Sequence, residues 1–135
     1  MNQHHYGYTV RTTLDYTATV EAVTTALKHE GFGVLTTIDM QATLKAKLGA
    51  ETAPYIILGA CNPPLAQRAL MAEPEIGLLL PCNVIVYVDT VGQTIVSAID
   101  PEAMFSVVQR DDLMPIAQEV GAKLRRVMAV LPAIP

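Results

Sequence analysis

The stretch Leu58–Val84, L-G-A-C-N-P-P-L-A-Q-R-A-L-M-A-E-P-E-I-G-L-L-L-P-C-N-V, decides how the chain folds. It holds both cysteines, Cys61 and Cys82, and each is followed at once by an asparagine, Asn62 and Asn83. It also holds Pro63, Pro64, Pro74 and Pro81. An apolar run, Ile56–Leu58, precedes the first C-N pair, and another, Val84–Val88, follows the second. Between them lies a helix signal. Asn62 suits an N-cap, because its side chain can accept a hydrogen bond from the first turn. Pro63 suits N1, where its missing N–H is no loss. The pattern predicts a helix to about Glu73, ended by Pro74. Ile76–Leu80 and Val84–Val88 read as one apolar stretch interrupted at Pro81–Cys82–Asn83. A proline there implies an edge, a bulge or a break.

Upstream, Tyr6–Thr12 alternates aromatic and β-branched residues and predicts a strand. Asp15 or Thr17 caps a helix to about Glu30, with Val20, Val23 and Leu27 on one face and Gly31 as its C′ residue. Phe32–Ile38 predicts a strand. Asp39 caps a short helix, Met40–Leu48, closed by Gly49. Ala50–Ala53 is a loop, and Pro54–Ala60 a strand apolar on both faces. Downstream, a turn at Asp89–Gly92 leads into a return strand, Gln93–Ile99. Asp100–Pro101 opens a single helical turn through Met104–Phe105. Asp111 or Asp112 caps the last helix, whose apolar positions from Leu113 through Leu124 to Leu131 keep to one face. The tail Pro132–Pro135 is expected to fray. Helices mixed with meander strands predict an α+β fold, one mostly antiparallel sheet with helices on one face. Residues 1–135 form one domain on grounds of length.

Apolar residues make up 51% of the chain and charged residues 16%. Charged residues usually supply about 25% of a domain. So little polar surface predicts a homodimer or an apolar pocket. The net charge of −4 with no basic cluster argues against a nucleic-acid partner. No apolar run reaches the roughly 18 residues of a membrane span, so no membrane partner is expected. The segment M-N-Q-H-H-Y-G-Y-T-V has neither the basic region nor the apolar core of a secretory signal. The expected compartment is the cytoplasm, where two cysteines remain thiols.

Four segments carry a resemblance: G-F-G-V-L-T-T-I-D at Gly31–Asp39, L-G-A-C-N-P-P-L-A at Leu58–Ala66, G-L-L-L-P-C-N-V at Gly77–Val84 and D-P-E-A-M at Asp100–Met104. Over nearly its whole length the chain resembles the bacterial and archaeal domain-of-unknown-function family 302. The resemblance implies a TATA-binding-protein-like α+β fold and dimerisation as a common arrangement. It implies no reaction and no cofactor.

The candidate ligand-binding residues are Cys61, Asn62, Pro63, Pro81, Cys82 and Asn83. Cys61 precedes a helix N-terminus, whose dipole favours a thiolate. Apolar surroundings would instead raise its pKa and make it a packing residue. Cys82 faces the same alternatives, and its place after Pro81 favours exposure to a cleft. The helix start at Asn62 is a poor anion cradle, since Pro63 and Pro64 remove early N–H donors. No phosphate-binding or dinucleotide glycine motif is present. The cysteines lack the paired spacing of structural zinc sites, and no metal is expected from one chain. Both strand ends flank one helix, so Cys61 and Cys82 are expected close together, with Asn62 and Asn83 holding non-strand backbone around a polar notch. The pattern predicts a homodimeric module that binds a small ligand or a protein partner there. The alternative is a thiol-dependent redox protein or enzyme using Cys61 or Cys82, or a thiolate metal or haem binder.

Overall fold

A computed structural model describes all 135 residues. The elements run β1 (Asn2–His4), β2 (Gly7–Thr12), α1 (Tyr16–His29), β3 (Gly33–Asp39), α2 (Met40–Leu48) and β4 (Tyr55–Cys61). There follow α3 (Pro63–Ala72), a 3-10 turn (Pro74–Leu79), β5 (Cys82–Val88) and β6 (Thr94–Ile99). The chain ends with α4 (Pro101–Ser106), a 3-10 turn (Asp111–Leu113) and α5 (Met114–Ala129). The six strands form one sheet in the order β1-β2-β6-β5-β4-β3, and every pairing is antiparallel. The fold is α+β, as the order of sequence signals predicts.

Local chemistry explains most boundaries. Asp15, not Thr17, caps α1: its carboxylate accepts from the Ala18 N–H at 2.8 Å. At the other end Gly31 takes φ +84°, and the N–H groups of Phe32 and Gly31 donate to the carbonyls of Leu27 and Lys28. This pair of bonds satisfies carbonyls that the helix end would leave bare. Asp39 caps α2 through Ala42 N–H at 2.9 Å, and Gly49 closes it at φ +65°. The hairpin between β5 and β6 turns on Asp89, whose carboxylate accepts from the N–H groups of Val91 and Gln93.

Side chains of alternate residues build the core. Leu58, Val84, Val86, Val96, Tyr8 and Val10 all bury one face of the sheet. α1, α3 and α5 pack against the same core through Val23, Leu27, Leu65, Leu124, Val127 and Met128. The other face carries Ile57, Ile85, Tyr87 and Ile95, with the rings of Tyr55 and Tyr87 stacked at 5.3 Å. Only α2 approaches it. That helix has no buried residue, and its Met40 and Leu44 border a hollow shared with Tyr55 and Ile57.

Several expectations are corrected. Ile76–Leu80 is not strand: most of it winds into the 3-10 turn, anchored by buried Ile76. The break falls at Pro81, whose peptide bond with Leu80 is cis. Cys82 and Asn83 belong to β5 itself. Neither Asp111 nor Asp112 caps the last helix with a side-chain bond, and Asp112 pairs with Arg110 instead. A short strand, β1, precedes the one expected. The tail does not fray: Thr13 N–H donates to the Pro132 carbonyl at 3.1 Å, and Ile134 N–H to the Arg11 carbonyl at 2.7 Å. It occupies the edge of β2 that β1 is too short to cover, so backbone groups otherwise left open are paired.

Leu124 is fully buried at the centre of the α5 stripe. Leu124→Ala is expected to lower unfolding free energy by about 2–5 kcal/mol. Urea denaturation checks it, and a loss under roughly 1 kcal/mol would mean that the stripe is not packed.

Candidate functional site

β4 and β5 run antiparallel with Ala60 opposite Cys82 and Gly59 opposite Asn83. The end of β4 and the start of β5 therefore meet at one end of the sheet. α3 starts two residues after β4 stops. Asn62 makes that short passage possible. Its Oδ1 accepts from Leu65 N–H at 3.4 Å, which caps α3. Its Nδ2 donates to the Glu30 carbonyl at 3.3 Å, at the end of α1. One buried amide thus ties two helix termini together. Gly31 sits against that amide: a β-carbon there would lie 3.1 Å from Asn62 Nδ2. Gly59 is required by close approach on the other side. A β-carbon there would overlap Thr36 Oγ1 and lie 2.7 Å from Pro81 Cγ.

Between α3 and this end of the sheet lies a cavity of about 340 Å³, lined by 17 residues of which 13 are hydrophobic. Cys61, Cys82 and Ala60 come from the strands, and Leu65, Ala66 and Ala69 from α3. Phe32, Phe105, Ile116 and Val120 close the depth. The volume follows from side-chain size. Alanines at 60, 66 and 69 stand where larger residues would fill the space. No charged side chain lines it; Thr36 and Asn62 are the polar side chains besides the thiols. At the mouth stand exposed apolar residues. A bulge between Val34 and Thr36 throws Leu35 outward, and Leu35 and Leu70 line the opening at 67% and 42% exposure. Met71 and Leu78, next in sequence to the lining residues Leu70 and Gly77, are 78% and 83% exposed.

Electrostatics follow from the apolar walls. Burial pushes the Cys61 thiol above its ordinary pKa. Burial, with a smaller effect of the neighbouring Cys61, pushes Cys82 up to about 12. Both thiols are thus held protonated at neutral pH. Burial is the largest cause in both cases, as expected for thiols in apolar surroundings. Cys82 is the buried member at 5% exposure and Cys61 the half-buried one, the reverse of the order expected from Pro81. Neither is in a disulfide. No three His, Cys, Asp or Glu side chains gather closely enough to hold a metal ion.

The structure brings Cys61, Asn62, Pro81 and Cys82 to one cavity. Pro63 is exposed at the first turn of α3 and Asn83 points to the opposite face of the sheet. Asn83 is strand, not turn. It borders a separate hollow of about 160 Å³ with His4, Tyr6 and Ser97. The notch therefore has one asparagine, because alternation along β5 sends Cys82 and Asn83 to opposite sides. Sequence reasoning missed the helix wall of Leu65, Ala66 and Ala69. Their spacing marked an inner face, and their small size was the available signal. It also missed Gly59, although a glycine inside a strand marks close approach.

The raised thiols generate a prediction. Unfolding returns Cys82 to its ordinary value of 9.0. Between 9.0 and about 12 the unfolded chain binds fewer protons than the folded one, so stability falls as pH rises through that window. Cys82→Ala should flatten that part of the curve, read by thermal melts. In native protein at pH 7, maleimide should label Cys61 slowly and Cys82 hardly at all; rapid labelling of Cys82 would show that the wall is open.

Comparison with known proteins places this architecture. No curated protein matches the chain significantly. A crystal structure of an uncharacterized conserved DUF302 protein from Bacillus stearothermophilus is similar, at 31% identity and a TM-score of 0.83. The match covers 93% of this chain and 94% of that one. The family model described as domain of unknown function DUF302 matches residues 8–131, a span that holds both C-N pairs, α3 and every wall of the cavity. The chain belongs to the DUF302 family.

Proposed function

We propose that this protein is a binding module for a small, mainly apolar ligand, seated in the cavity beneath α3. The observation that carries the reading is the cavity itself: about 340 Å³, 13 of 17 lining residues hydrophobic, and no charge in the wall. Ligand sites are commonly hollows of about 300–1,000 Å³ with apolar walls and a few placed polar groups. Here those groups are the Asn62 amide, the Thr36 hydroxyl and two protonated thiols. Thiols in that state are weak nucleophiles and poor metal ligands, which tells against the redox and thiolate-metal alternatives. A titration with toluene, followed by amide shifts in NMR spectra, tests the reading. Shifts are expected at Ala60, Leu65 and Ala69. Ala66→Leu, at a half-buried position in the wall, should reduce or abolish them while the fold is kept. Saturable shifts elsewhere only, or indifference to Ala66→Leu, would sink it.

We further propose a homodimer. The uncovered face of the sheet supports it, with Tyr55, Ile57, Ile85 and Tyr87 only partly buried. β5 and β6 lie inside the sheet with both edges paired, so a partner would meet the face of this hairpin and not its edge. Light scattering at high micromolar concentration should give twice the chain mass; a monomer mass would remove the proposal.

A further inference from the structure

A second hollow adjoins the cavity at the start of α3. It has a volume of about 430 Å³ and is polar where the first is apolar. Asn62 and Leu65 belong to the walls of both. Successive rows of two helices feed the two spaces. On α5, Ile116 and Val120 line the cavity while Glu119 and Lys123 line the hollow. On α3, Ala66 and Ala69 face the first and Arg68 the second. An apolar site and a polar one therefore lie side by side around the N-terminus of α3.

The hollow is lined by two carboxylates, Glu30 and Glu119, and two cations, Arg68 and Lys123, and their ion pairs are not made evenly within it. Glu119 is held by Arg68 at 2.8 Å, and Glu30 by Arg126 at 2.9 Å. Both carboxylates are thus already engaged. Lys123 lines the hollow and forms no salt bridge with any carboxylate. It is half-buried where it lines the hollow. The cavity wall, by contrast, carries no charged side chain.

Resting on the proposed ligand site, we infer that the ligand is an amphiphile: an apolar body in the cavity and an anionic head, carboxylate or phosphate, beside Lys123. Volume limits the body. A water-sized group takes about 30 Å³, so 340 Å³ accommodates roughly ten such groups. An alkyl chain of about that length matches the space. Asn62 stands where body and head join. Its amide already bonds the Glu30 carbonyl and the Leu65 N–H, which leaves charge recognition to Lys123. Leu35 and Leu70, exposed in the cavity lining, give the chain an apolar approach.

Calorimetric titrations with octanoate, octyl phosphate and octan-1-ol test head and body separately. Both anions are expected to bind about two- to fivefold more tightly than the alcohol at low salt, the range of an exposed ion pair. Lys123→Gln should erase that advantage and leave the alcohol unchanged. High salt should erase it too. Ala66→Leu should weaken all three ligands. An advantage for octyl phosphate alone, lost in Lys123→Gln, supports the anionic head and names it as phosphate; an advantage for octanoate alone names it as carboxylate. Equal binding of all three, unaffected by Lys123→Gln but weakened by Ala66→Leu, overturns the anionic head and leaves the apolar site standing. No binding by any of the three, or binding indifferent to Ala66→Leu, overturns the site and the amphiphile together.

Discussion

The antiparallel register that sets Ala60 opposite Cys82 is the constraint on which the rest of the structure depends. With that register Leu58 faces the helices beside Val84, and Gly59 lies where Pro81 folds across it. A slip of one residue would turn Leu58, Val84 and Val86 out of the core and bring Asn83 in. The register is held from both sides. Core packing selects the parity of the strands. The close approach of Thr36 and Pro81 to Gly59 forbids a side chain there and locks β3, β4 and the start of β5 together. Once the strand ends are fixed, the chain has one residue, Asn62, in which to leave the sheet and begin α3. The two hydrogen bonds of its amide then set where α3 lies relative to α1. The cavity is the space that this placement leaves between α3 and the sheet.

Why the space is not closed is a matter of side-chain volume. α3 carries Ala66 and Ala69 on its inner side, and β4 carries Ala60 beneath it. Buried interiors normally pack to high density, and unfilled volume costs stability. The surrounding core shows that this chain packs well elsewhere: Leu113, Leu124, Val84, Val86 and Val96 are wholly buried. A hollow confined to one end of such a core, with the exposed Leu35 and Leu70 in its lining, is a local departure. Departures of this kind mark functional sites more often than accidents of packing.

Much of this was legible in the sequence. Caps at Asp15, Asp39 and Asn62, glycine stops at Gly31 and Gly49 and the long stripe of α5 are local signals, and local hydrogen bonding decided those boundaries. The C-N pairs pointed to the right end of the fold because both flank one helix. What escaped was set by contacts far apart in sequence. The tail is ordered because Arg11 and Thr13 offer it backbone partners 119 or more positions away in the chain. Ile76–Leu80 has strand-like composition, yet Glu73 caps a 3-10 turn by accepting from Glu75 N–H, and Ile76 finds its burial there. Asn83 looked equivalent to Asn62, but one follows a strand and the other lies within one. An identical dipeptide therefore presents its asparagine to the cavity in the first case and to the opposite face of the sheet in the second.

The cysteines illustrate how the same residues answer two questions differently. Their position before a helix N-terminus and at a strand start suggested chemistry. Their surroundings argue that they are wall. A thiol is activated when nearby positive charge or a helix dipole outweighs desolvation. Around Cys61 and Cys82 no cation lines the cavity, and Pro63 and Pro64 remove N–H donors from the turn where the dipole is strongest. The neighbouring Cys61 also disfavours ionisation of Cys82. What remains is a pair of small, polarisable, uncharged groups on an apolar surface, which suits contact with an apolar ligand. In the adjoining hollow the cation without a salt bridge is Lys123, outside the cavity lining. Apolar and charged side chains thus occupy different faces of the same two helices. For the amphiphile proposed above, neither face alone would distinguish it from an oil or from a free anion.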